Sequence, residues 1–233
     1  MLCGVNLKID RGESVVIIGG SGCGKSVLLR HIIGLVQPDE GDVKIDGQSI
    51  ADLSERELIK VRRKFGMLFQ GAALFDSLTV EENVGFLLDR EQTMSPEAIR
   101  ETVADALELV DLGGTQGKKP AELSGGMKKR VGLARAIVYK PEIILYDEPT
   151  TGLDPVVADS IDQLVIRMRD QLKCTTIVVT HDTRSMRRVG NRVMLLHHGE
   201  IHANGTPDEI FNSTDPIVHK FVNGIADPKD LEF

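Results

Sequence analysis

The chain has 233 residues, which is enough for one domain with a substantial core or for a domain that carries an inserted lobe. Hydrophobic residues make up 41% and charged residues 27% of it, an ordinary globular composition that excludes a disordered chain, a collagen-like repeat and a disulfide scaffold. The formal net charge of -7 argues against a dedicated nucleic-acid binder, which usually presents a basic face, so we expect no nucleic-acid partner.

Three features of the sequence bear on the compartment. The longest uninterrupted apolar runs are short, such as residues 15–18, and lie far below the ~18 residues that span a bilayer. The start of the chain lacks the charged-then-apolar pattern of a secretory signal. Its cysteines, Cys3, Cys23 and Cys174, form an odd and scattered set that suits a reducing compartment. We therefore expect a cytoplasmic protein.

Short runs of β-branched residues alternate with helical patterns, which predicts an α/β fold with a mostly parallel core sheet. The predicted strands are residues 5–9, 14–19, 42–46, 65–70, 142–147, 176–180 and 192–196. A tight antiparallel turn is expected at Gly199, between Leu196 and Ile201.

Capping residues mark the helix starts. Ser54 with Glu57 forms a capping-box pattern that opens a helix to about residue 64. Ser95 followed by Pro96 supplies an N-cap and a first helical residue. Asp154, also followed by a proline, repeats this arrangement before a helix to about residue 172.

One stretch breaks the alternation of strands and helices. From about residue 71 to residue 138 no buried strand is recognisable, which predicts a helical lobe inserted between two core strands. We expect a single domain, residues 1–233, with a core of residues 1–70 and 139–206, the lobe at about 71–138 and a C-terminal tail at about 207–233.

The run from Gly19 to Ser26 fits the phosphate-binding pattern G-x-x-x-x-G-K-[ST] in full, between an apolar run and a helical run. Glycines let the backbone wrap around phosphates, while N–H groups and the helix N-terminus supply positive potential. Lys25 is expected to reach the β- and γ-phosphates and Ser26 to bind Mg²⁺. The alternative, a glycine-rich turn without a ligand, is disfavoured because both flanks are in place. The residues expected to contact the nucleotide here are Gly19, Gly20, Ser21, Gly22, Cys23, Gly24, Lys25, Ser26 and Val27.

A second motif supplies carboxylates. The apolar run 143–146 ends in Asp147 and Glu148. Asp147 suits the magnesium shell, and Glu148 is placed to polarise an attacking water. An acidic turn after a strand is common in isolation, so this interpretation depends on the phosphate-binding loop beside it.

The sequence Leu123-Ser124-Gly125-Gly126-Met127 resembles the signature of ATP-binding-cassette (ABC) ATPases. Further motifs of that family are matched in the expected order by Gln70, by Gly152-Leu153-Asp154 and by His181. Together with the two motifs above, these cover most of the chain.

The resemblance implies an ABC-type nucleotide-binding domain of the P-loop NTPase class, with an inserted helical subdomain, small antiparallel β parts, and ATP and Mg²⁺ as cofactors. It implies a head-to-tail homodimer, in which Ser124, Gly125 and Gly126 of one chain close on the γ-phosphate held by the other. Asp154 would help to couple the two sites. By the same resemblance the catalytic residues are Glu148, His181 and Gln70, and the magnesium residues are Ser26, Gln70 and Asp147.

Departures from the family pattern narrow the resemblance. Met127 stands where the signature usually ends in glutamine, and residues 69–84 and 221–228 look like the ATPase of bacterial Mla-type systems, which move phospholipids or related lipids. This implies a separate integral membrane permease, a lipid-binding MCE-type protein in the same complex, and a position on the inner face of the cell membrane. The alternatives are an importer ATPase for a small solute such as an amino acid, and a soluble ABC ATPase that acts on DNA or ribosomes.

Two groups of side chains have a plainer interpretation. The basic runs 62–64 and 128–130 are expected to be solvated helix faces rather than nucleic-acid sites. The histidines His197, His198 and His202 are expected in a solvated hairpin rather than at a metal, because strand neighbours face opposite sides.

An apolar group lies around Gln70 and comprises Phe69, directly before it, and Leu74, Phe75 and Leu78 after it. We interpret it as a groove for a helix of a membrane partner, with ordinary core packing as the alternative. No aromatic residue precedes Phe65, although ABC ATPases usually stack one on adenine, so either the natural start lies upstream or adenine is held otherwise.

Overall fold

The computed structural model describes residues 2–225, in which the strands form a six-stranded sheet and a separate two-stranded sheet. The strands are β1 Ser14–Ile18, β2 Lys44–Ile45, β3 Gln48–Ser49, β4 Phe65–Leu68, β5 Ile143–Asp147, β6 Thr175–Thr180, β7 Arg192–His197 and β8 Glu200–Gly205. The helices are α1 Lys25–Ile32, α2 Glu55–Arg62, α3 Val80–Glu91, α4 Pro96–Leu109, α5 Gly125–Ile137, α6 Pro155–Leu172, α7 Thr183–Val189, α8 Pro207–Phe211 and α9 Pro216–Val222, with a short 3₁₀ turn at Pro120–Glu122.

The large sheet has the order β4-β5-β6-β1-β7-β8, and only β8 runs antiparallel to its neighbour. Every residue of β1 and of β6 is buried, as is typical of a parallel sheet that is covered on both faces. The predicted α/β fold with a mostly parallel core sheet is therefore confirmed, and so are its small antiparallel parts.

Alternate residues of β1 belong to two separate hydrophobic clusters. Val16 and Ile18 pack into the larger cluster, with residues of α5 and α6. Val15 and Ile17 pack into the smaller one, with Leu28 of α1. Because successive strand residues face opposite sides of a sheet, α1 covers one face and α5 and α6 cover the other.

The predicted strand at residues 5–9 is wrong. The segment has no regular secondary structure, although its apolar side chains alternate with exposed ones and pack against the smaller cluster. In this part of the chain the N–H of Cys3 bonds to the carbonyl of Gly199, and no ladder follows. The side chains thus alternate as in a strand, but a strand also needs a hydrogen-bonding partner for its backbone.

Of the predicted strand at 42–46, only residues 44–45 form a strand, β2, and this strand lies outside the core sheet. It pairs with β3 through a two-residue turn in which Asp46 has a φ of 53° and Gly47 a φ of 80°. Asp-Gly is the favoured sequence for such a hairpin turn, so this dipeptide was the signal that the sequence analysis missed.

The turn predicted at Gly199 is confirmed by the antiparallel pair β7 and β8. His198 has a φ of 47° and Gly199 a φ of 84°, again the conformation of a tight hairpin. Among residues 2–225 no cluster of histidine, cysteine or acidic side chains has the geometry to hold a metal, and His202 instead contacts Asp215 at 3.1 Å.

Residues 71–138 contain α3, α4 and α5, which pack on one another, and no strand. Thr79 caps α3, and Ser95 with Pro96 opens α4 as its sequence predicts. Glycines bring α5 close to the edge strand of the sheet, because a Cβ on Gly66 would lie 2.3 Å from the carbonyl oxygen of Ala136. The helix is thus seated directly on β4.

The helices α8 and α9 follow β8. Residues 226–228, which are part of the C-terminal segment that resembles the Mla-type ATPases, lie outside the described residues. Within residues 2–225 no helix is both long and apolar enough to cross a bilayer.

Candidate functional site

The phosphate-binding loop connects β1 to α1 at the centre of the large sheet. Gly19 has no room for a side chain, since a Cβ there would lie 2.4 Å from the carbonyl oxygen of Leu196 on β7. Gly24 precedes α1 with a φ of 107°, a conformation that disfavours other residues. The backbone N–H groups of the first turn of α1 are therefore presented to the loop, as anion binding requires.

Lys25 crosses this loop with its ammonium group. Its Nζ donates to the carbonyl oxygens of Gly19 at 2.9 Å and Gly20 at 3.0 Å, and it lies 3.7 Å from Glu148 Oε1. An ammonium has three donors, so two are used by the loop and one remains for a further partner. The residue is buried, which strengthens its electrostatic effect on that partner.

Ser26 and Asp147 meet as the sequence predicts. The Ser26 hydroxyl donates to Asp147 Oδ1 at 2.9 Å. Both are hard oxygen ligands, and two neighbouring ligands in an octahedral magnesium shell, each about 2.0–2.1 Å from the ion, are separated by about 2.9 Å. The residues present therefore fit Mg²⁺.

The charges around Asp147 also favour a cation. Burial raises the pKa of the Asp147 carboxyl above its ordinary value. The hydrogen bond from Ser26 lowers this pKa, the neighbouring charge of Glu148 raises it, and the charges of Arg30 and Lys25 lower it. A bound cation would stabilise the ionised carboxylate in this buried position.

Glu148 follows β5, and both oxygens of its carboxylate have partners in the site. Its Oε2 lies 2.9 Å from His181 Nδ1 and accepts a hydrogen bond from the Thr151 hydroxyl at 3.0 Å. The backbone of Glu148 has a φ of 49°, which is unusual for a residue other than glycine. The structure thus brings together Lys25, Glu148 and His181, while the sequence analysis gave no sign of Thr151.

Other predicted site residues make contacts of their own elsewhere in the described chain. Ser124 is the N-cap of α5 and accepts from the N–H of Met127, and Asp154 caps α6. In the described part of the chain no hydrogen bond joins Ser124, Gly125 or Gly126 to residues 19–26, or the Gln70 side chain to Asp147. The main-chain carbonyl of Gln70 instead accepts a hydrogen bond from Lys129.

The prediction of solvated faces at the two basic runs is wrong in part. Lys129 is buried, and its Nζ donates to the carbonyl oxygens of Gln70 and Glu148. Arg62 donates to the carbonyl oxygens of Ile33 and Gly34, and so holds the end of α1. Lys129 lies three residues after Gly126 and four before Leu133, both buried on α5, and this helical spacing was the signal for its burial.

The β1–loop–α1 unit, with the carboxylates of β5 beside it, defines a P-loop nucleotide-binding protein. Residues 2–151 match the ABC transporter family, and the chain belongs to it as one of its ATPase cassettes.

Curated relatives with different named roles match almost the whole chain. The probable ribonucleotide transport ATP-binding protein mkl of Mycobacterium leprae is 43% identical over 94% of this chain and 63% of its own length. The intermembrane phospholipid transport system ATP-binding protein MlaF of Haemophilus influenzae is 41% identical over 96% of this chain and 84% of its own. The methionine import ATP-binding protein MetN of Carboxydothermus hydrogenoformans is 43% identical over 95% of this chain and 66% of its own length. This chain therefore spans less than two thirds of the mycobacterial relative.

Solved structures of cassettes share the fold. A dimeric ATP-binding cassette in a post-hydrolysis state, bound to ADP and Pi, has a TM-score of 0.81 at 40% identity and covers 88% of this chain and 90% of its own. The protein cbiO1 from Clostridium perfringens has a TM-score of 0.83 at 32% identity. The match covers 94% of this chain and 87% of the cbiO1 chain.

Proposed function

We propose that the site hydrolyses Mg-ATP to power a transporter, with Glu148 as the general base. The convergence of Lys25, Glu148 and His181, with contacts of 3.7 Å and 2.9 Å to the two carboxylate oxygens, is the observation that carries this proposal. A candidate base must lie within reach of the proton it removes and be oriented by its neighbours. His181 and Thr151 orient the carboxylate here.

Each neighbouring residue has a distinct part in this scheme. Lys25 holds phosphate charge with its remaining donor, and Ser26 with Asp147 binds Mg²⁺, which supplies charge neutralisation at the phosphates. His181 orients Glu148 and is placed to reach the γ-phosphate. Gln70, at the end of β4, is proposed to report the state of the site to the lobe.

A homodimer would complete the site. Ser124, Gly125 and Gly126 form the N-terminus of a 13-residue helix, and this end of a helix favours a phosphate. Because, among the described residues, none of the three hydrogen-bonds to the loop of its own chain, we propose that they act on the ATP of a second copy. Asp154, at the start of α6, is proposed to couple the two sites. The dimeric solved cassette supports this arrangement.

The proposed cargo is a phospholipid or related lipid. Met127, which ends the signature and packs against the larger cluster, and the relative named for phospholipid transport support it. The full assembly would then contain a permease, an MCE-type lipid-binding protein and this chain on the cytoplasmic face of the inner membrane. The second candidate is an amino-acid importer, which the equally similar methionine-import relative favours.

Reconstitution with a co-purifying permease tests the cargo. The complex, in vesicles of phosphatidylethanolamine and phosphatidylglycerol, is supplied with a fluorescent phospholipid or with L-methionine. The lipid proposal expects ATP-dependent movement of the fluorescent phospholipid between membranes and no uptake of methionine. Methionine uptake without lipid movement would establish the importer instead.

The Cys23 thiol allows a direct test of where ATP binds. Cys23 is partly exposed in the phosphate-binding loop, whereas Cys174 is buried and Cys3 is exposed. We expect Mg-ATP to slow alkylation of Cys23, because a bound phosphate chain covers the loop, and to leave Cys3 and Cys174 unchanged. Mass spectrometry of the three peptides measures this, and equal labelling of Cys23 with and without nucleotide would contradict it.

The apolar group around Gln70 divides into covered and exposed members, and Phe69, which is 38% exposed, is one of the exposed ones. Leu74 packs against the larger cluster and Leu78 is half-buried, whereas Phe75 is 46% exposed with its ring 4.7 Å from that of Phe86. The buried side chain of Asn83 holds the backbone of Phe75 through two hydrogen bonds. Phe75 is therefore a presented side chain on a fixed segment, which suits a docking contact.

We expect Phe75→Asp to abolish co-purification with the permease while ATP affinity stays unchanged. A carboxylate at a closed interface would lose its hydration without a partner, at a cost of several kcal/mol. Ile59→Asp is the matched control, because Ile59 is 48% exposed on α2, outside the lobe. Co-purification of Phe75→Asp at the wild-type level would place the docking contact elsewhere.

A further inference from the structure

Lys129 is a buried ammonium that the proposed mechanism does not use. Only 5% of its surface is exposed, and it lies on the helix that begins at the signature residues 124–126. A buried charge is costly unless its donors find partners. Its partners should therefore show what the charge does.

Its two hydrogen-bond partners lie on different parts of the chain. One is the main-chain carbonyl of Gln70, which follows β4 at the start of the lobe. The other is the main-chain carbonyl of Glu148, 3.0 Å away, which follows the neighbouring strand β5. One ammonium on α5 therefore joins the start of the lobe to the residue that carries the catalytic carboxylate.

The contact bears on the conformation of Glu148. A non-glycine residue in the left-handed region costs about 1–3 kcal/mol and persists only where its surroundings hold it. The N–H of Glu148 donates to the carbonyl of Val179 at 2.9 Å, and its carbonyl accepts from Lys129. The backbone is thus held on both sides, and its direction decides where the carboxylate lies.

The charges agree with this geometry. Burial lowers the pKa of Lys129 below its ordinary value, while the charges of Asp147 and Glu148 oppose that shift. The carbonyl groups of Gln70 and Glu148 are the hydrogen-bond partners that this buried ammonium has.

We propose that Lys129 is a positioning residue that holds Glu148 in its catalytic orientation and links it to the lobe through Gln70. Movement of α5 would then alter the rate of hydrolysis rather than the affinity for ATP. The inference rests on the proposed function in one respect, the role of Glu148 as the base.

The first experiment needs no nucleotide. Hydrogen–deuterium exchange is measured on the wild type, on Lys129→Met, and on Lys128→Met as a matched control on the same helix. We expect Lys129→Met to speed exchange in residues 148–153 while β6 is unchanged, because the carbonyl of Glu148 loses its charged donor. Acceleration throughout the chain, or none, would overturn the proposal.

The second experiment separates the rate from binding. We expect Lys129→Met to lower kcat by roughly 10- to 100-fold, since misplacement of a catalytic group by about 1 Å has effects of this size. KM for ATP should stay within about twofold of the wild type. The kcat of Lys129→Gln, which keeps an N–H donor but no charge, should lie between those of the wild type and Lys129→Met. If Lys129→Met does not fold, the kcat of Lys129→Gln is the test.

Wild-type kcat in both variants, or equal losses of ATP affinity and kcat, would overturn the inference. A failure of the proposed function has a different outcome. If Glu148→Gln hydrolysed ATP normally, Glu148 would not be the base, while the exchange experiment would still report on what holds its backbone.

Discussion

Glu148→Gln should lose steady-state ATP hydrolysis and keep ATP binding. The amide retains the size of the side chain and an oxygen that can accept from Thr151, but it cannot take a proton from water. Loss of a general base typically lowers the rate by about 10²–10⁴-fold. Phosphate release at saturating ATP measures the rate, and titration calorimetry measures the affinity.

The same variant tests the proposed dimer. With hydrolysis blocked, ATP should remain between two chains, and light scattering should then report a doubled mass with ATP but not with ADP. Glu142→Gln is the matched control, because this side chain lies at the start of β5 and is half exposed. Near-normal turnover in Glu148→Gln would remove it from the catalytic role.

The meeting of the phosphate-binding loop with the carboxylates follows from sequence and topology together. A motif after one buried strand and carboxylates after another must lie at the same edge of the sheet when both strands are parallel, as β1 and β5 are. This is why the contact of Ser26 with Asp147 could be expected from the sequence. The orientation of Glu148 could not, because it depends on Thr151, on His181 and on a left-handed backbone.

Lys129 shows where sequence reasoning reaches its limit. A lysine next to another lysine and an arginine is usually solvated, and composition alone favours that interpretation. Its position on the buried stripe of α5 is visible in the sequence. The two carbonyl groups that accept its hydrogen bonds, however, belong to residues that follow β4 and β5, 59 and 19 residues away along the chain. Tertiary packing decides which distant groups accept hydrogen bonds from a buried charge. It also decides whether a segment such as residues 5–9 finds a strand to pair with.

Lys25→Ala should weaken ATP binding and hydrolysis together. The ammonium meets phosphate charge that is present before the reaction begins, so its loss affects the bound ground state as well as the transition state. Hydrogen bonds to charged groups contribute about 1.5–3 kcal/mol, which corresponds to a roughly 10- to 150-fold loss of affinity. Calorimetric titration with Mg-ATP measures this.

Lys25→Ala should lose both ATP affinity and hydrolysis, whereas Glu148→Gln should lose hydrolysis alone. Lys25→Ala also leaves the carbonyl groups of Gly19 and Gly20 without their donor, so we expect a lower Tm in the absence of nucleotide and little further stabilisation on adding it. Lys8→Ala, which removes an exposed lysine whose ammonium pairs with Asp10, is the control and should leave both quantities unchanged. If Lys25→Ala bound ATP with wild-type affinity, the loop would not be the phosphate site, because a buried ammonium beside the phosphates cannot be removed without a loss of binding energy.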